Sequence, residues 1–298
     1  MENQPLVSVL MTVYNREKYI AEAIESVLAS TYQNWELIIV DDRSKDSSVE
    51  IAKRYESKDK RVRVYINEVN LGDYPNRNQA ASYAKGKYLK YVDADDMIYP
   101  YGLEQLVFNM EQFPEAGYGL CTLNQDKDRI FPFELSPREA YVRHYLKRKA
   151  IFIKAPLSSI INREIFFEQG QFSGKRMLGD FEMWHKLSQT CSVVLMQQGI
   201  TWYREHDEQE MSTYKADPMQ PFQYILLAEK IITDVKTPLK DSEKTTILKW
   251  LKMRKARSVT SSLKHSSLKK TIELYKASGL SLINIIPAFF SIIKEKSL

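Results

Sequence analysis

Two hydrophobic periods exchange along the first half of this chain, and that alternation restricts the possible folds more than any other feature. Short runs of β-branched and apolar residues recur at 6–14 (LVSVLMTVY), 35–42 (WELIIVDD), 61–67 (RVRVYIN), 87–93 (KYLKYVD) and 116–124 (AGYGLCTLN). Between them lie segments of helical period. Residues 16–31 place Ile20, Ile24, Val27 and Leu28 on one face, and 47–57 follow a cap at Asp46 or Ser47. Residues 74–86 form a helix stopped by Gly86, and 101–112 one that ends before Pro114. Strands apolar on both faces need cover on both faces, and short βα units make neighbouring strands parallel. The expectation is an α/β fold with a mainly parallel sheet flanked by helices. At 298 residues and 44% hydrophobic, the chain has the material for one large domain plus an appendage.

Sheets of this kind bind ligands at the carboxyl ends of their strands. Tyr14 and Asn15 end the first run, Asp41 and Asp42 the second, and Asp93, Asp95 and Asp96 the fourth, so all should share one rim. Three carboxylates within four residues repel unless a cation or hydrogen bonds compensate. Two readings compete: a strand-to-loop turn in which Asp caps backbone N–H groups, or a divalent metal site. The chain has no G-x-G-x-x-G after its first strand and no G-x-x-x-x-G-K-[ST], which argues against a dehydrogenase and a P-loop NTPase. Without a glycine-rich cradle, a metal held by carboxylates can still bridge to a pyrophosphate.

Four stretches together, VSVLMTVYNRE, LIIVDDRSKDSS, NLGDYPNRNQAASYAKGKYLKYVDADD and LGDFEMWHKL, resemble in order and spacing the inverting family 2 glycosyltransferases of the GT-A fold, of the bacterial surface-polysaccharide type. The resemblance runs from residue 6 to about 212. It implies a nucleotide-sugar donor, UDP most often, a glycan or lipid-linked acceptor, and Mn²⁺ or Mg²⁺. It also implies that Thr12, Tyr14 and Asn15 line the nucleotide pocket and that Asp42 meets the base. Arg77 matches the arginine of an A-R-N motif, with Asn76 replacing the alanine. Asp93 and Asp95 match the D-x-D, with Asp95 the leading metal ligand. Asp42 with Ser44 also fits a plain turn, Arg77 a surface helix charge, and Asp96 is left to turn chemistry.

The base of an inverting transfer must be a carboxylate that takes the acceptor proton. The family supplies it from an E-D pair opening a helix, followed by an aromatic and a tryptophan. Asp180, Phe181 and Trp184 match, whereas Gly179 stands where the glutamate would be. Asp180 could equally cap the helix, and Glu182 is the alternative base. His206, in a Y-R-x-H stretch, is a further candidate metal or phosphate ligand. His144, His185 and His265 receive no role. A nucleotidyltransferase lacks its glycine- and lysine-rich loop here, and a catalytically silent nucleotide-binding scaffold is made conceivable by Gly179.

Net charge is +5, yet residues 235–298 carry +10 and the remainder −5. The chain is therefore expected to divide into a domain at 1–215, with a donor-binding half at 1–124 and an acceptor half at 125–215, and a basic helical region at 216–298. No nucleic-acid motif accompanies the basic region, so an anionic membrane surface is the better partner. The run LSLINIIPAFFSII (280–293) is too short to span a bilayer and reads either as an interfacial element or as a core helix. Cys121 and Cys191 lack metal-ligand spacing and, with a first strand in place of a signal peptide, fit a cytoplasmic setting, peripheral to the inner membrane face.

Overall fold

The structure is a computed structural model that describes residues 4–206, 219–283 and 285. The described part of Met1–His144 and Arg148–Arg204 form one compact unit; Tyr145–Lys147 and the described part of Glu205–Leu298 form a second.

In the first unit β1 (Val7–Val13), α1 (Ile20–Leu28), β2 (Trp35–Asp41), α2 (Ser48–Glu56), β3 (Val62–Ile66), α3 (Asp73–Ser82) and β4 (Tyr88–Tyr91) follow in the expected order. After them come β5 (Met97–Ile98), α4 (Gly102–Glu111), β6 (Tyr118–Leu123), β7 (Phe133–Leu135), α5 (Pro137–Tyr141), β8 (Ser159–Asn162), α6 (Arg163–Glu168), α7 (Gly179–Thr190), β9 (Val193–Gln197) and β10 (Thr201–Trp202). Eight strands make one sheet in the order β3-β2-β1-β4-β8-β6-β9-β7, while β5 and β10 pair apart from it. The β3-β2-β1-β4 half is parallel throughout, and β8 runs antiparallel to both β4 and β6. In register, Val13 lies beside Asp41 and Leu10 beside Tyr91, so β1, β2 and β4 finish on one rim.

The strands sit in this sheet because both faces are covered. Val7, Val9 and Met11 of β1 and Leu37 and Ile39 of β2 share a core with Ile20, Ala23, Ile24 and Val27 of α1. That stripe repeats at three and four residues, as an amphipathic helix requires. Lys90 is fully buried in β4 and donates to the carbonyls of Leu157 and Ser159; burial pushes its pKa down to about 8.

Gly86 does not stop a helix, because α3 already ends at Ser82. Its N–H donates to Ser8 Oγ at 2.8 Å, and a Cβ there would lie 2.6 Å from the Leu6 carbonyl oxygen and 2.7 Å from the Ser8 nitrogen. The glycine instead lets the start of β4 approach β1. Ahead of α2, Asp46 supplies the side-chain oxygen: its Oδ1 accepts the Ser48 N–H at 3.0 Å, whereas Ser47 makes no cap bond.

The second unit contains α8 (Met219–Thr233), α9 (Asp241–His265) and α10 (Leu268–Ser278), with α9 packed on the other two. Lys255 of α9 is buried and joins them, donating to both carboxylate oxygens of Glu229 and to the Ser278 carbonyl. Among the described residues no helix is long and apolar enough to cross a membrane.

Candidate active site

The rim is laced by short-range bonds between loops that follow parallel strands. Thr12 is half-buried near the end of β1, and Tyr14, 44% exposed, follows it. Asn15 takes a left-handed backbone (φ 52°), donates its N–H to Ser44 Oγ at 2.9 Å and accepts the Lys45 N–H on Oδ1 at 2.8 Å. These bonds fasten the β1–α1 loop to the β2–α2 loop. The turn bond expected of Asp42 with Ser44 is made by Asp41, whose Oδ2 accepts the Ser44 N–H at 3.0 Å.

Asp42 is 3% exposed and holds a different loop. Oδ1 accepts from Asn67 Nδ2 and the Leu71 N–H, and Oδ2 from the Gly72 N–H, each at 2.8 Å. Asn76, in place of a small residue, accepts from the same Asn67 amide at 2.9 Å and donates to the Val40 carbonyl at 3.1 Å. One carboxylate thus sets the path from β3 into α3.

Arg77 is a buried hub and not a surface charge. Its Nε donates to Asp73 Oδ1 at 2.7 Å and its Nη1 to Asp93 Oδ1 at 2.6 Å. Burial works against its charge, but the two carboxylates outweigh it and hold its pKa well above the usual value. Asp95 pairs with a second arginine, Arg16 Nε at 2.8 Å. Asp96 does the turn work: its N–H donates to the Asp93 carbonyl, and its Oδ1 accepts the Arg204 N–H at 2.9 Å. Burial, then the charge of Asp93, pushes its carboxyl up to about 8.

A divalent cation fits this donor set only in part-protein coordination. Among the described residues no group of three or more His, Cys, Asp or Glu is arranged to hold a metal. Asp93 and Asp95 can supply one or two carboxylate oxygens, which is what Mg²⁺ and Mn²⁺ commonly take when substrate phosphates complete the shell. His206 is grouped with the second unit, and the arrangement described here is built from the first unit alone.

Asp180 lies in the first turn of α7, where the helix dipole favours an anion. Its Oδ1 accepts the Phe181 N–H at 2.6 Å. Burial nevertheless pushes its pKa up to about 6, against the hydrogen bonds from Phe181 and the Tyr74 hydroxyl that favour the ionised form. Glu182, the alternative base, is turned to Ser173 and Lys175, which keep it below the usual carboxylate range despite its burial. Trp184 is fully buried, stacked on Tyr118 at 5.7 Å and donating to the Lys154 carbonyl at 2.6 Å. His185 is core as well: burial pushes it down to about 3, and neutral Nδ1–H donates to the Phe181 carbonyl at 2.6 Å. His144 Nδ1 accepts the N–H groups of Ile151 and Phe152.

Four residues of the arrangement went unassigned in the sequence: Arg16, Asp73, Tyr74 and Arg204. Asp73 had a local signal, since it stands four residues before Arg77 on one helix. Arg204 lay inside the quoted Y-R-x-H stretch. Arg16 meets Asp95 across 79 positions, which no local pattern encodes.

The family model for glycosyl transferase family 2 matches residues 8–170. Glycosyltransferase GlyG of Streptococcus pneumoniae serotype 4 is 31% identical over 223 residues, covering 70% of this chain and 73% of that protein. A candidate teichuronic acid biosynthesis glycosyltransferase of Bacillus subtilis, TuaG, is 37% identical over 165 residues, covering 54% and 64%. The chain spans about half the length of the first two curated relatives it matches, glycosyltransferases of Haemophilus influenzae and Bacillus subtilis. Among solved structures, S. aureus TarS 1–349 in complex with UDP-GlcNAc has a TM-score of 0.64 at 20% identity, covering 95% of this chain and 79% of that one. Mannosyltransferase PcManGT from Pyrobaculum calidifontis, in complex with GDP-Man and Mn²⁺, has a TM-score of 0.66 at 18% identity, covering 99% and 89%. Both share the GT-A fold seen here.

Proposed function

This chain belongs to glycosyltransferase family 2, and from that membership we propose a metal-dependent inverting transferase that moves a sugar from a UDP-sugar to a hydroxyl of a glycan or lipid-linked acceptor in polysaccharide biosynthesis. The ligands of TarS and PcManGT support the donor class, and the name of TuaG supports the setting.

The observation that carries this reading is Asp180. A carboxyl raised to about 6 is mostly ionised at neutral pH yet basic enough to take a proton in the transition state. The acceptor oxygen bonds to the anomeric carbon while the bond from that carbon to the diphosphate breaks on the opposite face. The acceptor proton passes to Asp180, and the departing diphosphate carries the negative charge. Thr12, Tyr14, Asn15 and Asp42 face the nucleoside in this scheme, and Arg77 with Asp93 the diphosphate. Asp95 with Asp93 would hold the cation, which offsets the charge of the leaving group when bound.

Asp180→Asn tests the assignment. Asn keeps the shape and the bond from Phe181 but cannot accept the proton. Donor affinity, measured by calorimetry, should be nearly unchanged while transfer falls by ~10²–10⁴-fold. Near-normal transfer would remove Asp180 as base. An equally stable, equally active Asn variant is what a mere helix-start role for Asp180 predicts.

A further inference from the structure

Gly179 departs from the acidic residue of the family's pair, and the structure gives the space to another side chain. A Cβ at 179 would meet three ring atoms of Tyr74, each at 2.8 Å. Any side chain there would therefore expel the Tyr74 ring. That ring is 5% exposed and is fixed from behind by Phe172, with ring centroids 5.1 Å apart. Phe172 is in turn fastened to α3, since its carbonyl accepts from Asn78 Nδ2 at 2.8 Å and its N–H donates to Asn78 Oδ1 at 3.1 Å. The hydroxyl so placed faces the Asp180 carboxylate and the Asp180 backbone N–H, and its hydrogen bonding to the carboxylate favours the ionised form.

We infer that Tyr74 is the positioning residue of the Asp180 carboxylate, and that Gly179 is required because only glycine leaves room for its ring. The inference rests on the reading of Asp180 as base. A carboxylate at the start of a helix can turn about its χ angles. The Tyr74 hydroxyl, together with the Phe181 N–H on Oδ1, restricts that turning and favours the ionised form. Two positions from α3 and α7 thus do together what a side chain at 179 would otherwise do. The other ionisable groups facing the carboxyl are Asp73, which opposes its charge, and Arg77, which favours it. Glu182 and His185 of its own helix are occupied elsewhere, by Lys175 with Ser173 and by the Phe181 carbonyl.

Tyr74→Phe removes the hydroxyl and keeps the ring on Gly179. The acid limb of kcat/KM against pH should move up by about one unit, so that transfer below the limb falls about tenfold and recovers above it. UDP affinity and the unfolding temperature should stay close to those of the parent. An unchanged pH profile overturns the inference, and so does a Tyr74→Phe enzyme that is merely less stable. Gly179→Ala provides the second arm: its Cβ displaces the ring, so it should shift the same limb, and in a Tyr74→Ala background it should add nothing further. Additive losses overturn the coupling. Asp180→Asn separates the two claims. If that variant is inactive while Tyr74→Phe keeps the parent profile, only the role of Tyr74 falls. If it is active, the base assignment falls first.

Discussion

Asp95 and Asp93 would repel one another at the end of β4 if each were not met by an arginine, Arg16 for the first and Arg77 for the second. Both pairs are partly sheltered, and a cation must share Asp95 with Arg16. Asp95→Asn should therefore weaken UDP binding in Mn²⁺ by about 10–100-fold, the worth of a bond to a charged group. Its affinity in EDTA should match that of the parent. Equal affinities with metal present would remove Asp95 as ligand. At Asp180, burial raises the pKa, so the rate should climb as pH rises through about 6 and then level as the carboxyl ionises. A rate independent of pH between 5 and 8 would contradict that sign. Asp93, Asp95 and Asp180 were legible because like charges at strand ends and a carboxyl at a helix start need a reason. Arg16 and Tyr74 were not, since each acts on a partner far away in sequence and neither breaks a local rule.

At the scale of elements, the loop from β3 into α3 depends on one carboxylate. Asp42→Ala would leave Asn67 Nδ2 and the N–H groups of Leu71 and Gly72 without their acceptor. These donors are only partly buried, so losing their charged acceptor costs about 1–3 kcal/mol in all, and unfolding should shift down by several degrees, at about 2–4 °C per kcal/mol for a unit of this size. UDP binding should weaken in the same variant, and calorimetry alongside thermal unfolding reads both; an unchanged midpoint would mean that the loop is held by other contacts. Gly86→Ala should be at least as costly, because its Cβ would press on the backbone of β1 at 2.6 and 2.7 Å, where no flexible side chain can yield. The parallel half of the sheet could be read from the sequence because β1 to β4 lie in apolar, β-branched or aromatic runs that alternate with helical periods. β5, β7, β8 and β10 could not: they are two to four residues long and lack a period. The antiparallel β8 is set by pairing on both sides, a tertiary fact with no local signature.

At the scale of the whole molecule, charge is divided along the chain, +10 over residues 235–298 against −5 elsewhere. Within the second unit α10 turns Leu268 and Ile272 outward, 70% and 44% exposed, four residues apart on one helix face. Lys269, Lys270 and Lys276 are exposed on the same helix. Exposed apolar residues among lysines on one helix suit the surface of an anionic bilayer, where each cation contributes about 1 kcal/mol and the apolar residues enter the interface. Nine of the fourteen residues of the run at 280–293 lie outside the described ones, so α10 gives the expected membrane contact its structural support. Vesicles containing phosphatidylserine should sediment the protein, vesicles of phosphatidylcholine alone should not, and 0.5 M salt should release it because the attraction is screened. Leu268→Ser with Ile272→Ser touches only exposed positions, so it should leave stability and UDP binding intact while lowering the bound fraction several-fold. Binding that ignores lipid charge, or that survives the double substitution unchanged, would move the interaction away from α10 and leave the basic charge of this region without its proposed partner.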